Sequence, residues 1–180
     1  YKAKWQFDLA ALVFRMGKFE KAEKLFRDVR RYSPDYVTQF EAYLYQASCL
    51  ARIGKYEKAE EILKNLETDG KFEEWVGNVF AERMNIYRLK GMDEDFSKGE
   101  KFADTTYIGN DAMAAMYYER GLDYFKDNDY SDARIYFAKA KSTLNPATKE
   151  AIRIYKLLDT WNRTKAQILP TFEKIQSDMK

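Results

Sequence analysis

A repeated heptapeptide is the feature of the sequence that most restricts its fold. Gly-Lys-Phe-Glu-Lys-Ala-Glu begins at Gly17, and Gly-Lys-Tyr-Glu-Lys-Ala-Glu begins 37 residues later at Gly54. The same step leads to Gly91 and then to Asn128, which opens the segment Asn-Asp-Tyr-Ser-Asp-Ala. Equal spacing of similar segments is typical of chains in which one supersecondary unit stacks on copies of itself. The sequence therefore predicts four structural repeats.

Each repeat is predicted to be a pair of helices joined by a tight turn. Gly and Asn tolerate a positive φ angle, and apolar residues recur at spacings of three and four on both sides of them. In the first repeat we expect Leu9, Val13 and Met16 to line one face of the leading helix. The apolar face of the returning helix comprises Phe19, Ala22, Phe26 and Val29.

Boundary signals separate the predicted repeats. Ser33-Pro34-Asp35 predicts a helix that begins with Ser33 as its N-cap and proline in the first helical position, and Asn145-Pro146 repeats this signal. Asp69-Gly70 predicts the end of a helix. The third repeat is irregular, because Phe96 and Gly99 reach the expected positions of its returning helix only if about three residues near 92–94 are looped out.

In its order of residue types the chain resembles the tetratricopeptide repeat family, over roughly residues 3–146. That family places bulky and small residues in the first helix, glycine at the turn, and alternating aromatic and alanine positions in the second helix. The best match is the fourth repeat, through Tyr117, Gly121, Tyr124, Asn128, Tyr130, Ala133, Phe137 and Ala140. The period of 37 exceeds the usual length of about 34 residues, and we expect longer leading helices to hold the additional residues.

The resemblance implies an all-α fold, a right-handed α-solenoid of antiparallel helical hairpins. We expect a single domain over residues 1–180, with repeats at about 1–33, 34–70, 71–109 and 110–145, and a capping helix with a tail at 146–180. The capping helix is predicted from one apolar face, and Pro170 is expected to break or kink it. That face comprises Ala151, Ile154, Tyr155, Leu158 and Trp161. Phe172 and Ile175 in the tail would need a surface on which to be buried.

Composition disfavours several classes of function. Histidine is absent and Cys49 is the single cysteine, so the common nucleophile–base pairs and imidazole metal sites are missing and no internal disulfide can form. We therefore expect no enzyme activity and no cofactor. A net charge of +2 disfavours nucleic-acid binding. The sequence contains no run of about 18 uncharged apolar residues, so we predict no membrane span. The compartment stays open between the cytoplasm and the periplasm.

The family resemblance also implies a peptide-binding concave face built from the leading helices. When the family's binding positions are aligned with this sequence by the turn residues, that face comprises Lys4, Phe7, Phe14, Arg15, Leu44, Ser48, Arg52, Asn78, Asn85, Arg88, Tyr118, Leu122, Phe125 and Lys126. Arg15, Arg52 and Arg88 occupy closely equivalent places, which predicts a basic ladder for acidic groups; a cation near a helix C-terminus is the alternative explanation. Asn78 and Asn85 are interpreted as exposed amides that could hold a ligand backbone.

The function expected from this resemblance is a scaffold or adaptor that binds another protein or a peptide on its concave face. The alternative is a regulatory or sensory module of a larger protein, such as a transcription regulator, a kinase or an envelope assembly protein, with an intramolecular partner. The start at Tyr1 without methionine favours a piece of a longer chain. The oligomeric state and the identity of the partner are left open by the sequence.

Overall fold

The computed structural model describes residues 1–140, 153, 156–166 and 169–170, and these residues form helices and short connections without a strand. The all-α prediction is therefore confirmed for the described part of the chain. The α-helices are α1 (Lys2–Arg15), α2 (Phe19–Asp28), α3 (Tyr36–Arg52), α4 (Tyr56–Thr68), α5 (Val76–Lys90), α6 (Asp93–Thr106), α7 (Asp111–Lys126) and α8 (Tyr130–Ala140). The chain divides into unit 1, residues 1–108, and unit 2, residues 109–180, which are described separately.

The four predicted turns share one backbone geometry. Gly17, Gly54 and Gly91 have φ angles of 72°, 76° and 68°, and Asn128 has a φ angle of 63°. In every turn the following residue donates its N–H to the carbonyl five residues earlier, at 2.8–3.2 Å. This left-handed closure of a helix end favours glycine, because a side chain crowds the backbone there. The 37-residue spacing therefore identified real turns.

Unit 1 is a stack of hairpins in which the returning helices α2 and α4 each contact two leading helices. Helix α2 packs on α1 and α3, helix α4 packs on α3 and α5, and α3 also contacts α1 and α5. Buried Phe26 joins Val13 to Cys49 in one cluster, and buried Leu63 joins Leu50 to Ile86 in the next. This succession of neighbour contacts is the packing of an α-solenoid, which confirms the predicted fold class.

The predicted apolar face of the first leading helix is wrong in two of its three residues. Val13 is buried, but Leu9 and Met16 are 48% and 56% exposed. The helix instead turns Ala3, Ala10 and Val13 toward its neighbours. These three residues pack against residues of α2, α3 and the segment after α2, and the larger Leu9 and Met16 side chains are left exposed.

The N-cap of α3 lies two residues beyond the predicted position. Ser33 adopts a left-handed conformation at the end of a short 3-10 segment, Val29–Tyr32, and Asp35 caps the helix instead. An Asp35 carboxylate oxygen accepts the Thr38 backbone N–H at 2.9 Å, and the second oxygen accepts the Thr38 hydroxyl at 2.9 Å. These two hydrogen bonds lower the pKa of Asp35 from its usual value of 3.8.

We expect Asp35→Ala to lower the free energy of unfolding by about 1 kcal/mol, the usual effect of losing an N-cap. Asp35→Asn is the matched control, since an amide oxygen still accepts the Thr38 N–H, and it should lose less. Because the folded pKa is depressed, the carboxylate's contribution is present above pH 3.8 and is lost as the pH falls through the folded pKa. Urea titrations at neutral and acidic pH measure both effects, and equal losses for the two variants would contradict this role.

The loop predicted near residues 92–94 in the third repeat is wrong. Helix α6 runs without interruption from Asp93, with Met92 as its N-cap residue. Phe96 is buried at the position that Ala22 and Ala59 occupy in the earlier repeats. Gly99 occupies the position of Leu25 and Ile62 in the earlier repeats, and a Cβ atom built there would collide with the Met84 side chain. The third repeat therefore exchanges large and small residues, and its two helices contact each other less extensively than those of the other hairpins.

Unit 2 contains the hairpin formed by α7 and α8. Asn110 caps α7, and its side-chain oxygen accepts the Ala112 N–H at 2.8 Å. Gly121 lies against the buried Phe137 ring, where an added Cβ atom would be 2.8 Å from the nearest ring carbon. The close approach of the two helices therefore depends on the small residue that the family resemblance predicts at this position.

Part of the predicted capping helix can be compared with the structure. Residues 156–166 are helical, Leu158 is buried and Trp161 is 59% exposed. The predictions for Asn145, Pro146, Ala151, Ile154, Tyr155, Phe172 and Ile175 lie outside the described residues. Leu169 and Pro170 are helical, and the predicted break at Pro170 adjoins residues 167–168 and 171–180, which also lie outside. Among the described helices, none combines the length and the apolar composition needed to cross a bilayer.

Candidate functional site

The predicted binding residues divide between the two units. Tyr118, Leu122, Phe125 and Lys126 lie on α7 of unit 2, where Tyr118 and Phe125 pack against Phe137 and Tyr130 with ring centroids 5.8 and 5.4 Å apart. The others lie on the leading helices α1, α3 and α5 of unit 1. We call their common surface the leading-helix face, and its central residues are Phe14, Leu44, Tyr45, Ser48, Arg52, Asn78, Glu82, Asn85 and Arg88. Lys4, Phe7 and Arg15 lie on α1 beside them.

Aromatic rings form the α1 side of the leading-helix face. The Tyr45 ring lies 5.9 Å from Phe7 and 5.5 Å from Phe14 in edge-to-face contacts, and it stacks on Phe26 at 5.3 Å. Phe7 and Phe14 are partly buried, whereas Tyr45 is 37% exposed. Burial raises the pKa of the Tyr45 phenol, and Glu41 and Glu82 reinforce this shift. The rings therefore form a fixed apolar floor with a neutral hydroxyl group at its edge.

Arg52 is held by contacts on three sides. Its Nη1 donates to the Ser48 carbonyl at 3.3 Å and to the Ser48 hydroxyl. The guanidinium carbon lies 5.1 Å above the Phe14 ring and 5.7 Å from the Phe19 ring. Its side chain is only 15% exposed. A cation fixed against aromatic rings is positioned for a ligand without further loss of side-chain entropy.

Glu82 supplies a buried negative charge beside Arg52. Its Oε1 lies 3.6 Å from Arg52 Nη1, and its side chain is 11% exposed. Asn85 Nδ2 donates to Glu82 Oε2 at 3.4 Å, and Arg88 Nε donates to Asn85 Oδ1 at 3.3 Å. Burial raises the pKa of Glu82, against the opposing effects of Arg52, Ser48, Asn85 and Arg88. The carboxylate is therefore desolvated and depends on its neighbours for its charge.

Acidic and amide side chains lie among the arginines of the predicted basic ladder. Arg15 is exposed at the end of α1, but Glu82 faces Arg52, and Arg88 contacts Asn85. The positive charges do not form an uninterrupted row. Asn85 is only 8% exposed, against the expectation of an exposed amide, and it lies between Glu82 and Arg88. Asn78 is partly buried and does border a cavity.

A small cavity opens between α3 and α5. Its volume is about 130 Å³, which is the scale of one aliphatic side chain, and the residues that line it are Val37, Phe40, Glu41, Leu44, Tyr45, Trp75 and Asn78. Phe40 and Trp75 stack at 4.7 Å and form its apolar wall. Burial raises the pKa of the Glu41 carboxyl, with a further increase from Asp35. The lining is therefore mixed, with the Phe40 and Trp75 rings on one side and polar groups from Glu41 and Asn78 beside them.

Tyr45 and Glu82 were missed when the site was inferred from the sequence. A signal was available, since the two residues are 37 positions apart and therefore occupy equivalent places in successive leading helices. Their neighbours Leu44 and Ser48 were included, but a tyrosine and a glutamate inside a helix resemble ordinary core and surface residues. Only the packing of α3 against α5 shows that the glutamate is buried next to an arginine.

A second, larger cavity lies on the side of the returning helices. It has a volume of about 510 Å³ and lies among α2, α3 and α4, with both acidic and basic side chains in its lining. Arg27 pairs with Glu23 at 3.6 Å, so charges of opposite sign lie side by side in its lining. In the described residues, no group of three metal-binding side chains is close enough to share an ion. These observations make the leading-helix face the better candidate site.

Comparison with known proteins adds one family match. Residues 7–70, which run from α1 to the end of the second hairpin, match the model described as tetratricopeptide repeat. No curated protein and no solved structure matches the chain significantly. Proteins with this repeat typically mediate protein–protein interactions. The family match over residues 7–70 and the helical hairpins of the structure together support a protein of the tetratricopeptide repeat family.

Proposed function

We propose that the chain is an adaptor whose leading-helix face in unit 1 binds an extended peptide segment of another protein. The observation that carries this proposal is the combination of two features on one face. A cavity beside Leu44, with the Phe40 and Trp75 rings as one wall, accepts a side chain, and Arg52 presents a guanidinium that is already held in position. Apolar anchors in pockets and buried arginines are the residues that dominate binding energy in protein interfaces.

The spacing of these features limits the ligand. The cavity is centred near Glu41 on α3, and Arg52 bonds back to Ser48, so the two features are separated by seven to eleven residues of helix. At 1.5 Å per residue this corresponds to roughly 10–16 Å. An extended peptide advances about 3.3 Å per residue and covers that distance in roughly three to five residues. The preferred peptide would therefore carry an apolar residue and a carboxylate at this separation.

Glu82 weakens the contact that a peptide carboxylate makes with Arg52. A peptide carboxylate at Arg52 has to share the guanidinium with Glu82, which already lies 3.6 Å from it. Glu82→Gln removes this competing charge and keeps the shape of the side chain. We expect it to increase the affinity for acidic peptides by about three- to tenfold, with no change for peptides whose acidic residue is replaced by its amide. Fluorescence anisotropy with labelled peptides measures both affinities.

Selection from a random peptide library tests the proposal while the natural partner is unidentified. The native protein should enrich peptides with an apolar residue and an acidic residue three to five positions apart. Leu44→Asp, which places a charge in the cavity lining, should abolish this enrichment, whereas Arg27→Glu on the returning helix α2 should preserve it. Circular dichroism establishes that each variant is folded. Enrichment of the same peptides by Leu44→Asp would show that the interface lies elsewhere.

A further inference from the structure

The first helix carries an exposed apolar stripe. Trp5, Leu9, Leu12 and Met16 are 72%, 48%, 55% and 56% exposed. Their spacings of four, three and four residues place all four side chains on one face of α1, beside buried Val13 and away from buried Ala3 and Ala10. Isolated exposed apolar residues are common in proteins, but a continuous row on one helix is typical of a contact surface.

The later leading helices bury the same face. The positions 37 residues after Trp5, Leu9 and Leu12 are Ala42, Gln46 and Cys49, and all three are buried. Ala42 clusters with Val29, Cys49 clusters with Phe26, and Gln46 donates to Glu23 at 2.8 Å. Each of these partners lies on α2 or directly after it. In the structural repeat, this face of a leading helix is thus a surface that packs against another helix.

We propose that two copies of the chain associate through this stripe, with their α1 helices antiparallel. The spacing of the stripe is the heptad spacing of coiled-coil seams, and it is self-complementary. In an antiparallel pair centred between Ala10 and Ala11, Trp5 faces Met16 of the second copy and Leu9 faces Leu12. Large rings thus pack against flexible methionine side chains at both ends, and leucines pack in the middle.

Charge supports the antiparallel arrangement. Asp8 and Arg15 are exposed on the same flank of the stripe, and neither forms an ion pair with a described residue. A two-fold axis perpendicular to the helices brings Asp8 of each copy beside Arg15 of the other. The two residues then differ by roughly 3 Å in height along the pair, which an arginine side chain spans easily. A parallel pair would place these flanks on opposite sides.

The size of the stripe determines the expected affinity. Four side chains from one helix form a smaller contact than the roughly 1,200–2,000 Å² of a stable specific interface. We therefore expect a reversible dimer that forms between about 10 µM and 1 mM. Sedimentation velocity of the whole chain over this range should show a monomer that converts to a dimer, and a protein that stays monomeric to 1 mM would overturn the proposal.

Charge exchange tests the geometry of the dimer. In a dimer of Asp8→Arg, the two introduced arginines face the two Arg15 side chains. In a dimer of Arg15→Asp, the two introduced aspartates face the two Asp8 side chains. Each variant alone should therefore dimerise at least about tenfold more weakly. An equimolar mixture of the two variants should form a heterodimer, and the double exchange Asp8→Arg/Arg15→Asp should restore the homodimer. These positions are exposed, so circular dichroism should stay native. Dimerisation that is unchanged in both single variants would exclude this arrangement.

A substitution within the stripe provides an independent readout. Leu9→Glu places a charge at the centre of the contact and should leave the protein monomeric at 1 mM by sedimentation. Leu9 is not part of the leading-helix face, so peptide selection by this variant should be unchanged. Loss of the dimer with retained peptide binding would support the stripe even if the proposed peptide class were wrong. A dimer that persists in Leu9→Glu would locate the contact elsewhere.

Discussion

Arg52→Met is expected to lower the free energy of unfolding by about 3 kcal/mol at neutral pH, because it leaves the Glu82 carboxylate buried without its closest cation. Methionine retains the apolar contact with the Phe14 and Phe19 rings. The loss lies at the lower end of the usual range for a broken buried pair, since Asn85 still donates to Glu82. Guanidinium denaturation followed by circular dichroism measures this difference.

The pH dependence of this effect has a definite sign. The folded pKa of Glu82 is raised above 4.5, so the folded protein takes up a proton more readily than the unfolded chain. The penalty for the buried charge is therefore present above the folded pKa and is relieved as the pH falls toward 4.5. Without Arg52 the pKa should rise further. The difference in stability between Arg52→Met and the native protein should shrink on acidification.

Two control variants separate the charge from the packing. Glu82→Gln alone should leave stability at neutral pH unchanged or slightly higher, because it removes a desolvated charge and keeps the side-chain volume. The double variant Arg52→Met/Glu82→Gln should recover most of what Arg52→Met loses. An equally unstable double variant would mean that Arg52 acts through its packing alone and that the ion pair contributes little.

Phe26→Ala is expected to cost about 3–5 kcal/mol, the range measured when a buried aromatic ring is removed from a core. Phe26 is 1% exposed, stacks on Tyr45 at 5.3 Å, and meets the edges of Phe7 and Phe14 at 5.5 and 6.4 Å. Its removal leaves a cavity where α1, α2 and α3 meet, and domains of this kind are typically stable by only about 5–15 kcal/mol. We expect the first hairpin to separate from α3 in this variant.

Phe102→Ala is the matched control for the loss of an aromatic ring. Phe102 is 49% exposed and contacts Phe80 and Tyr107, so its removal should cost about 1 kcal/mol. Thermal and denaturant unfolding of both variants provide the comparison. Similar losses in the two variants would show that the ring cluster around Phe26 is not a principal source of stability.

The architecture of unit 1 followed from the sequence because turn chemistry and repeat spacing are local. Gly17, Gly54 and Gly91 have the required backbone angle wherever their hairpins are placed, so a fixed step of 37 residues located them. The prediction for the third repeat was wrong at Phe96, because a family pattern assigns a fixed size to each position. The structure buries a large ring there, and Gly99 leaves room for Met84 of the preceding helix, a fit between two helices that no single-helix pattern contains.

The binding face was predictable in outline and not in its electrostatics. Repeat equivalence placed Leu44, Ser48 and Arg52 on the same helix face, and the structure brings Ser48 and Arg52 into contact. Whether an arginine can receive an acidic ligand depends on charges from other helices, and Glu82 reaches Arg52 across the joint between two repeats. The predicted burial of α1 failed for a related reason, since Leu9 and Met16 have no preceding returning helix within the described residues.

The location of Cys49 gives the protein a built-in reporter of local opening. The thiol is fully buried between α2 and α3, and burial raises its pKa to about 12, so it is protonated and inaccessible at neutral pH. It is also the single cysteine of the chain. Modification by a thiol reagent therefore requires the first hairpin to detach from α3. Its rate, compared with that of the denatured chain, measures how often neighbouring repeats separate while the remaining helices stay folded.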